Sequence, residues 1–226
     1  MLYGMGLCAG IGGLELGVRV ALGPRYRCVC YVEWDSFAAS VLVDRMAEKV
    51  LAPAPIWDDL QSFEGEPWYG AVDLITAGFP CQPVSAAGLK QGHEDERWLW
   101  PHIAQIIRDV DPGLVFLENV PGIVRRGLRS VWGDLRAMDF RVRAGFFSAA
   151  EVGAPHRRQR VFVLAYRDSD RLESLREQIE AFGPDQSWSD VDGRRRPWSR
   201  SLGSGGVSDS DGDEVWDESE RGPGES

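Results

Sequence analysis

Leu7-Cys8-Ala9-Gly10-Ile11-Gly12-Gly13-Leu14-Glu15-Leu16-Gly17 follows a short apolar start and opens a run with helical spacing. The chain is therefore predicted to pass from a strand, Leu2 to Cys8, into a helix, Gly12 to Leu22, through a glycine-rich turn. Glycines at such a turn let the backbone approach a ligand closely, and the first N–H groups of the helix face it. About twenty residues later Tyr31-Val32-Glu33-Trp34-Asp35 closes a second predicted strand, Cys28 to Glu33, and an acid there can accept from ribose hydroxyls, as in nucleotide-binding βαβ units. Asp35 is the expected N-cap of a helix from Ser36 to near Val50.

The alternation continues. Ala71 to Ala77 and Leu114 to Leu117 read as short buried strands, Trp98 to Val110 and Val124 to Met138 as helices, and Arg141 to Phe147 and Arg160 to Tyr166 as two closing strands. Strands alternating with helices give the α/β class, a Rossmann-like, doubly wound, mostly parallel sheet covered on both faces.

Three further stretches carry chemistry. Gly78-Phe79-Pro80-Cys81-Gln82-Pro83-Val84-Ser85 begins at the carboxyl end of a predicted strand, where ligands bind in open α/β sheets, and its two prolines fix the backbone on either side of one thiol. Cys81 is a candidate nucleophile, although a lone cysteine is more often an inert small hydrophobe. Glu118-Asn119-Val120-Pro121 puts a carboxylate at another strand's carboxyl end, and His156-Arg157-Arg158-Gln159-Arg160 leads into the last strand. Taken singly, each has an ordinary structural reading as a solvated cap, a core residue or a charged surface.

In that order and spacing, the glycine-rich turn, Glu33-Trp34-Asp35, Pro80-Cys81-Gln82, Glu118-Asn119-Val120 and the arginine stretch resemble the cytosine-5 DNA methyltransferases over residues 2–166. The resemblance implies S-adenosylmethionine as methyl donor and, as acceptor, a cytosine flipped out of double-stranded DNA. It implies that Cys81 attacks C6 of the base, that Glu118 contacts N3 and the exocyclic amine with burial favouring its proton-bearing form, and that Arg158 and Arg160 orient the target nucleotide and the catalytic pair. Asn119 would hold the Glu118 loop, and Pro80, Gln82 and Ser85 belong to the substrate loop. On the cofactor side it assigns Gly10, Gly12 and Gly13 to the methionine moiety, Glu33 to the ribose and Trp34 to the adenine ring. Asp59, with Asp58 as a rival, is assigned to the adenine amine, and Leu99 belongs to the segment after the catalytic loop. Asp73, early in its strand, is not expected to reach the cofactor. Two departures stand out: His156 where the family usually has glutamine, and Cys8 where it often has phenylalanine.

Charge is divided along the chain. Of a net −10 over 226 residues, residues 1–166 hold 17 basic and 19 acidic side chains, net −2, whereas residues 167–226 hold 8 and 16, net −8. Residues 125–160 carry 9 arginines against 3 acids, a local excess suited to phosphates. A catalytic domain is thus expected over residues 1–166. Asp168 to Phe182 reads as a charged helix, and the acidic, Ser/Gly-rich remainder of 167–226 as a disordered tail or the start of a target-recognition region. Four cysteines suit a reducing compartment better than a disulfide framework. With no apolar run of spanning length and no secretory signal, the expected place is the cytoplasm, away from membranes. Cys28 and Cys30 fall on one predicted strand face and, lacking two more ligands nearby, are expected to be core rather than metal ligands. The family's target-recognition and final motifs are not recognisable. That leaves, beside a DNA methyltransferase active alone, a catalytic subunit needing a second polypeptide, an RNA cytosine methyltransferase, and an inactive DNA- or cofactor-binding remnant.

Overall fold

Five short apolar stretches pair in parallel to build the sheet: β1 (Leu2–Leu7), β2 (Tyr26–Val32), β3 (Ile56–Trp57), β4 (Leu74–Ala77) and β5 (Leu114–Asn119). An antiparallel pair, β6 (Arg141–Ser148) and β7 (Gln159–Tyr166), completes it, with β7 inserted between β5 and β6, so the order is β3-β2-β1-β4-β5-β7-β6. The computed structural model describes residues 1–80 and 98–167. The predictions for Cys81, Gln82, Ser85 and the tail from Asp168 onward lie outside those residues.

Helices α1 (Gly13–Leu22) and α2 (Ser36–Ala47) flank β2, and α3 (Trp100–Val110) precedes β5. α4 (Ile123–Arg126) and α5 (Leu128–Ala137) precede β6. α1 and α2 cover one face with Leu42, Leu51, Leu2 and Leu74 between them and the sheet. The larger core lies on the other face, where Ile103, Ile107, Val131 and Leu135 of α3 and α5 meet Met5, Ile75, Val115, Leu117 and Val163. The sheet is doubly wound, and its order reverses between β1 and β4, which opens a crevice at their carboxyl ends. Among the described residues no helix is long and apolar enough to cross a membrane.

The structure departs from the sequence expectation in three places. β3 is a two-residue edge strand, too short for any periodicity to reveal. The helix expected over Val124 to Met138 breaks at Gly127, where a Cβ would lie 2.2 Å from the Trp98 indole, so tertiary packing overrides local propensity. Cys28 and Cys30 do not share a face: a bulge pairs them with the consecutive residues Gly4 and Met5, so Cys28 enters the α1/α2 core and Cys30 the α3/α5 core. No group of metal-ligating side chains occurs among the described residues.

α1 carries an acid into the interior. Glu15 is 1% exposed, its Oε1 lies 2.6 Å from the Thr76 hydroxyl, and its Oε2 has no partner. The same hydroxyl lies 3.3 Å from the Met5 carbonyl oxygen, and one hydroxyl has only one hydrogen. A neutral Glu15 satisfies both contacts, because the acid donates to Thr76 and Thr76 donates to Met5. Burial accordingly pushes the Glu15 carboxyl above its ordinary value.

A carboxyl held more tightly protonated in the folded state contributes stability that is full below about 4.5 and declines as pH rises from there toward the folded-state value. Glu15→Gln, whose amide donates as the neutral acid does, is expected to remove that part of the slope. Denaturant unfolding of both proteins at pH 5 and pH 8 checks it; parallel losses in the two would refute a neutral Glu15. Glu15→Ala leaves the Thr76 contact unmade and is expected to cost about 1–3 kcal/mol.

Candidate active site

Because β1, β2, β4 and β5 are parallel, the residues that follow them share one edge of the sheet. After β1, Cys8 and Gly10 adopt positive φ of 49° and 54°, and Gly12 follows at 79°. The turn is closed by Gly12 N–H donating to the Ala9 carbonyl at 2.8 Å and tied to β2 by Ala9 N–H donating to Val32 at 3.1 Å. Gly12 is required twice over, since a Cβ there would lie 2.5 Å from Leu51 and 2.9 Å from Leu42.

Glu33 stands just past β2, 8% exposed. Its Oε2 accepts from Gly10 N–H at 2.6 Å and its Oε1 from Asp35 N–H at 2.8 Å, so the acid braces the glycine-rich turn. Asp35 caps α2 as expected, accepting from Ala38 N–H at 2.7 Å. The residues here fit a nucleoside-bearing ligand. Cβ atoms built at Gly10 and Gly13 would meet nothing within 4 Å, leaving open space over the turn. Each Glu33 oxygen retains a second lone pair for a hydroxyl donor. Trp34 is 85% exposed beside it, an indole face without cover.

Asp59 is exposed and accepts at Oδ1 from Gln61 N–H at 2.9 Å; that bond, with Ser62, holds its carboxyl below the ordinary value. Asp58 is exposed as well. Asp73 lies at the opposite edge, accepting from Tyr3 N–H. Leu99 occupies the N-cap position of α3, half-buried against the larger core, with its carbonyl accepting from Ile103 N–H at 3.1 Å.

Glu118 and Asn119 are the last two residues of β5, which extends two residues beyond the expected Leu114 to Leu117 and keeps the carboxylate at its carboxyl end. Strand alternation sends them to opposite faces. The Glu118 carboxylate meets the Arg160 guanidinium, Oε1 to Nε 2.6 Å, and both side chains remain about a quarter exposed, 27% and 23%. The burial expected for Glu118 is therefore partial. Asn119 is 5% exposed, donates from Nδ2 to the Phe79 carbonyl at 2.9 Å, and accepts at Oδ1 from Val120 N–H at 2.9 Å. It thus ties the end of β5 to the residue before Pro80. Phe79 is buried against Trp98 and Trp100, with ring centroids 5.9 and 5.8 Å away. These aromatics pin both described ends of the chain that contains Cys81.

Arg160, the second residue of β7, lies beside Glu118, whereas Arg158 and His156 are exposed on the preceding turn, which Ala149 N–H anchors by donating to the Arg157 carbonyl at 3.0 Å. A Cβ at Gly78 would lie 3.7 Å from Glu118 Oε2 and 3.8 Å from the Cys8 carbonyl oxygen, so the glycine-rich turn, the β4 exit and the Glu118 pair are immediate neighbours. Sequence reasoning missed the Phe79–Trp98–Trp100 cluster and the Phe79 bond of Asn119. Neither follows a periodicity; only the alternation of Glu118 and Asn119 could have hinted at the second.

The sequence profile of the C-5 cytosine-specific DNA methylases matches residues 3–193. The chain is 31% identical over 174 residues to the Type II methyltransferase M.HhaI of Haemophilus parahaemolyticus, covering 75% of this chain and 50% of that protein. It is 32% identical over 170 residues to M.DsaV of Dactylococcopsis salina, covering 73% and 45%. It spans about half the length of the curated relatives it matches. Among solved structures, a Spodoptera frugiperda DNMT2 mutant superposes with a TM-score of 0.62 at 22% identity, covering 75% of this chain and 51% of that one, a likeness of fold. S. pombe Dnmt2 gives 0.62 at 21%, covering 75% and 52%.

Three of the four cysteines are held as thiols. Burial pushes Cys8 up to about 12, with the Glu33 charge adding to it, and burial likewise raises Cys28 to about 12 and Cys30 to about 11. Native alkylation at pH 8 should therefore modify Cys8, Cys28 and Cys30 at least ~100-fold more slowly than an ordinary thiol. Peptide mapping of the alkylated chain checks it, and prompt labelling of Cys8 would contradict the buried-thiol account.

Proposed function

The chain belongs to the C-5 cytosine-specific DNA methylase family, and from that membership we propose that it transfers a methyl group from S-adenosylmethionine to C5 of a cytosine flipped out of duplex DNA. The observation that carries the reading is the Glu118–Arg160 pair at the end of β5 together with the bond from its neighbour Asn119 to the residue preceding Pro80. Asn119 ties down the residue before Pro80, and Cys81 is the next residue in the sequence after that proline.

The chemistry assigns each group a task. The Cys81 thiolate adds to C6 of the base, and the displaced electron pair makes C5 nucleophilic, which unmodified cytosine is not. Glu118 engages N3 and the exocyclic amine, stabilising the charge that develops, and Arg160 holds the Glu118 carboxylate in place. After C5 has been methylated, loss of its proton to a base restores the double bond and expels the thiolate. Pro80, Gln82 and Ser85 shape the loop around the base, and Arg158, exposed, takes a phosphate. S-adenosylmethionine supplies the activated methyl group when bound. Gly10, Gly12, Gly13, Glu33 and Trp34 would hold it, with Asp59 at the adenine amine and Leu99 supporting that side from the start of α3. We assign the catalytic part to residues 1–166.

A second reading gives target recognition to a further polypeptide, since the part of the chain matched to its relatives is the part that carries Glu33, Glu118 and Arg160. The two readings separate in one assay. Duplex DNA carrying 5-fluorocytosine blocks the final proton loss, so the full chain with S-adenosylmethionine is expected to leave a denaturation-resistant adduct that Cys81→Ser abolishes. An adduct formed only after a partner chain is added supports the second reading. An adduct that persists in Cys81→Ser, or one formed on RNA in preference to duplex DNA, would sink the proposal. Asn119→Ala, which frees the residue before Pro80, is expected to slow adduct formation by about 10²-fold through misplacement of the thiol. Raising salt should weaken DNA binding, and Arg158→Ala should reduce the magnitude of the log–log salt slope by about 1, as the loss of one phosphate contact does.

A further inference from the structure

A second hollow lies away from the candidate active site, between α1 and α2 on the face of the sheet that they cover. Its volume is about 770 Å³, within the ~300–1,000 Å³ usual for small-molecule sites. Tyr26, Cys28 and Tyr31 of β2 line it together with Met46 and Leu51. Gly23 and Pro24, which precede β2, line it as well, so it reaches the amino end of that strand. Gly10, Glu33 and Trp34, at the carboxyl edge, take no part in it.

Two buried polar atoms without a hydrogen-bond partner belong to residues of this lining. They are Glu15 Oε2 and the Tyr26 hydroxyl oxygen, on side chains 1% and 6% exposed. Both side chains lie against bare backbone of β1: a Cβ at Gly6 would be 2.5 Å from Glu15 Oε1, and one at Gly4 would be 2.4 Å from the Tyr26 hydroxyl. That backbone is committed to its ladders, since β1 pairs with β2 on one side and with β4 on the other. Neighbouring polar hydrogens are engaged too. The Tyr31 hydroxyl donates to the Ala52 carbonyl at 3.4 Å and the Cys28 thiol to the Cys30 carbonyl at 3.3 Å. The Cys28 sulfur beside Tyr26 is a weak acceptor. As the neutral acid, Glu15 donates to Thr76 through Oε1, which leaves Oε2 a carbonyl-like acceptor, while the Tyr26 hydroxyl is free to donate.

We propose that this hollow binds a small, uncharged molecule carrying an amide or lactam edge on a flat apolar body, its N–H donating to Glu15 Oε2 and its carbonyl accepting from the Tyr26 hydroxyl. One free acceptor near one free donor is the complement of that edge. Gly4 and Gly6, which mark the two groups, are alternate residues of one strand and lie ~7 Å apart, so a single small molecule can reach both. A hydrocarbon would leave both groups unsatisfied, and a carboxylate would bring no donor to Glu15. A cation is disfavoured, because Glu15 is the one acid among the described lining residues, against Arg19, Arg27 and Lys49. The tyrosine rings and Met46 supply apolar contact for the body of the ligand.

Benzamide, which carries that edge on a phenyl ring, is the probe, and the amide ¹H–¹⁵N spectrum of the full chain is the readout, independent of any methyl transfer. Saturable shifts are expected at Tyr26, Cys28 and Met46, and they should persist in saturating S-adenosylhomocysteine because the carboxyl edge is a separate place. Tyr26→Phe removes only the unpartnered hydroxyl and should weaken benzamide at least about fivefold, the worth of one hydrogen bond. Toluene, which lacks the edge, should bind weaker than benzamide by at least the same factor. Ala47→Trp, at an exposed position of the lining, should block the site, and it decides if Tyr26→Phe fails to fold. The absence of saturable shifts at these residues, as in a hollow that holds water alone, would overturn the proposal. So would shifts that S-adenosylhomocysteine abolishes, toluene binding as tightly as benzamide, or benzamide affinity unchanged in the folded variants.

Discussion

The pairing of β1 with β4, Gly4 to Leu7 against Leu74 to Ala77, is the constraint on which the remaining structure depends. It joins segments about seventy residues apart and reverses the strand order. Two loops that the sequence holds far apart, the glycine-rich turn and the exit through Gly78 to Pro80, are thereby set side by side at one edge. Backbone hydrogen bonds fix this register without reference to side chains, and buried strands cannot slip without moving their whole apolar set to the wrong face. Glu15 reinforces it from below, since the Thr76 hydroxyl between the Glu15 acid and the Met5 carbonyl connects α1, β4 and β1 in the dry interior.

From that crevice the division of labour follows from alternation along β5. One residue's step turns Glu118 to the face where Arg160 waits and Asn119 to the face where the Phe79 backbone passes. A reactive pair and a structural tie thus come from adjacent positions of a single strand, with no extra loop. The aromatic packing of Phe79 on Trp98 and Trp100 fixes the two described ends around residues 81–97. The glycine-rich turn is braced in the same economical way, by one carboxylate, Glu33, accepting from two backbone N–H groups.

The sheet is finished unevenly. Its α3/α5 face is filled from end to end, whereas on the other face the core described reaches from α1 and α2 to Leu114 and Phe116 of β5. The net charge of the chain is similarly uneven, with arginines concentrated over residues 125–160 and acids over residues 167–226. The charge asymmetry turns at the end of β7, where Arg167 is anchored and the acidic stretch begins.

Much of this was legible in the residues. Alternating apolar runs and glycine or proline punctuation gave the α/β class, six of the seven strands and the positions of Glu33, Asp35, Glu118 and Arg160 at strand ends, because local periodicity and turn chemistry are encoded within a few residues. The ordered motifs identified the family for the same reason. What the sequence could not supply were contacts between distant segments: the two-residue β3, the break at Gly127 under Trp98, the bulge that separates Cys28 from Cys30, and the Asn119–Phe79 tie. Each depends on which surfaces the folded sheet brings within hydrogen-bonding or van der Waals range. Local composition therefore determined the elements and the chemical cast of the chain, while only the packed sheet decided which of those residues meet.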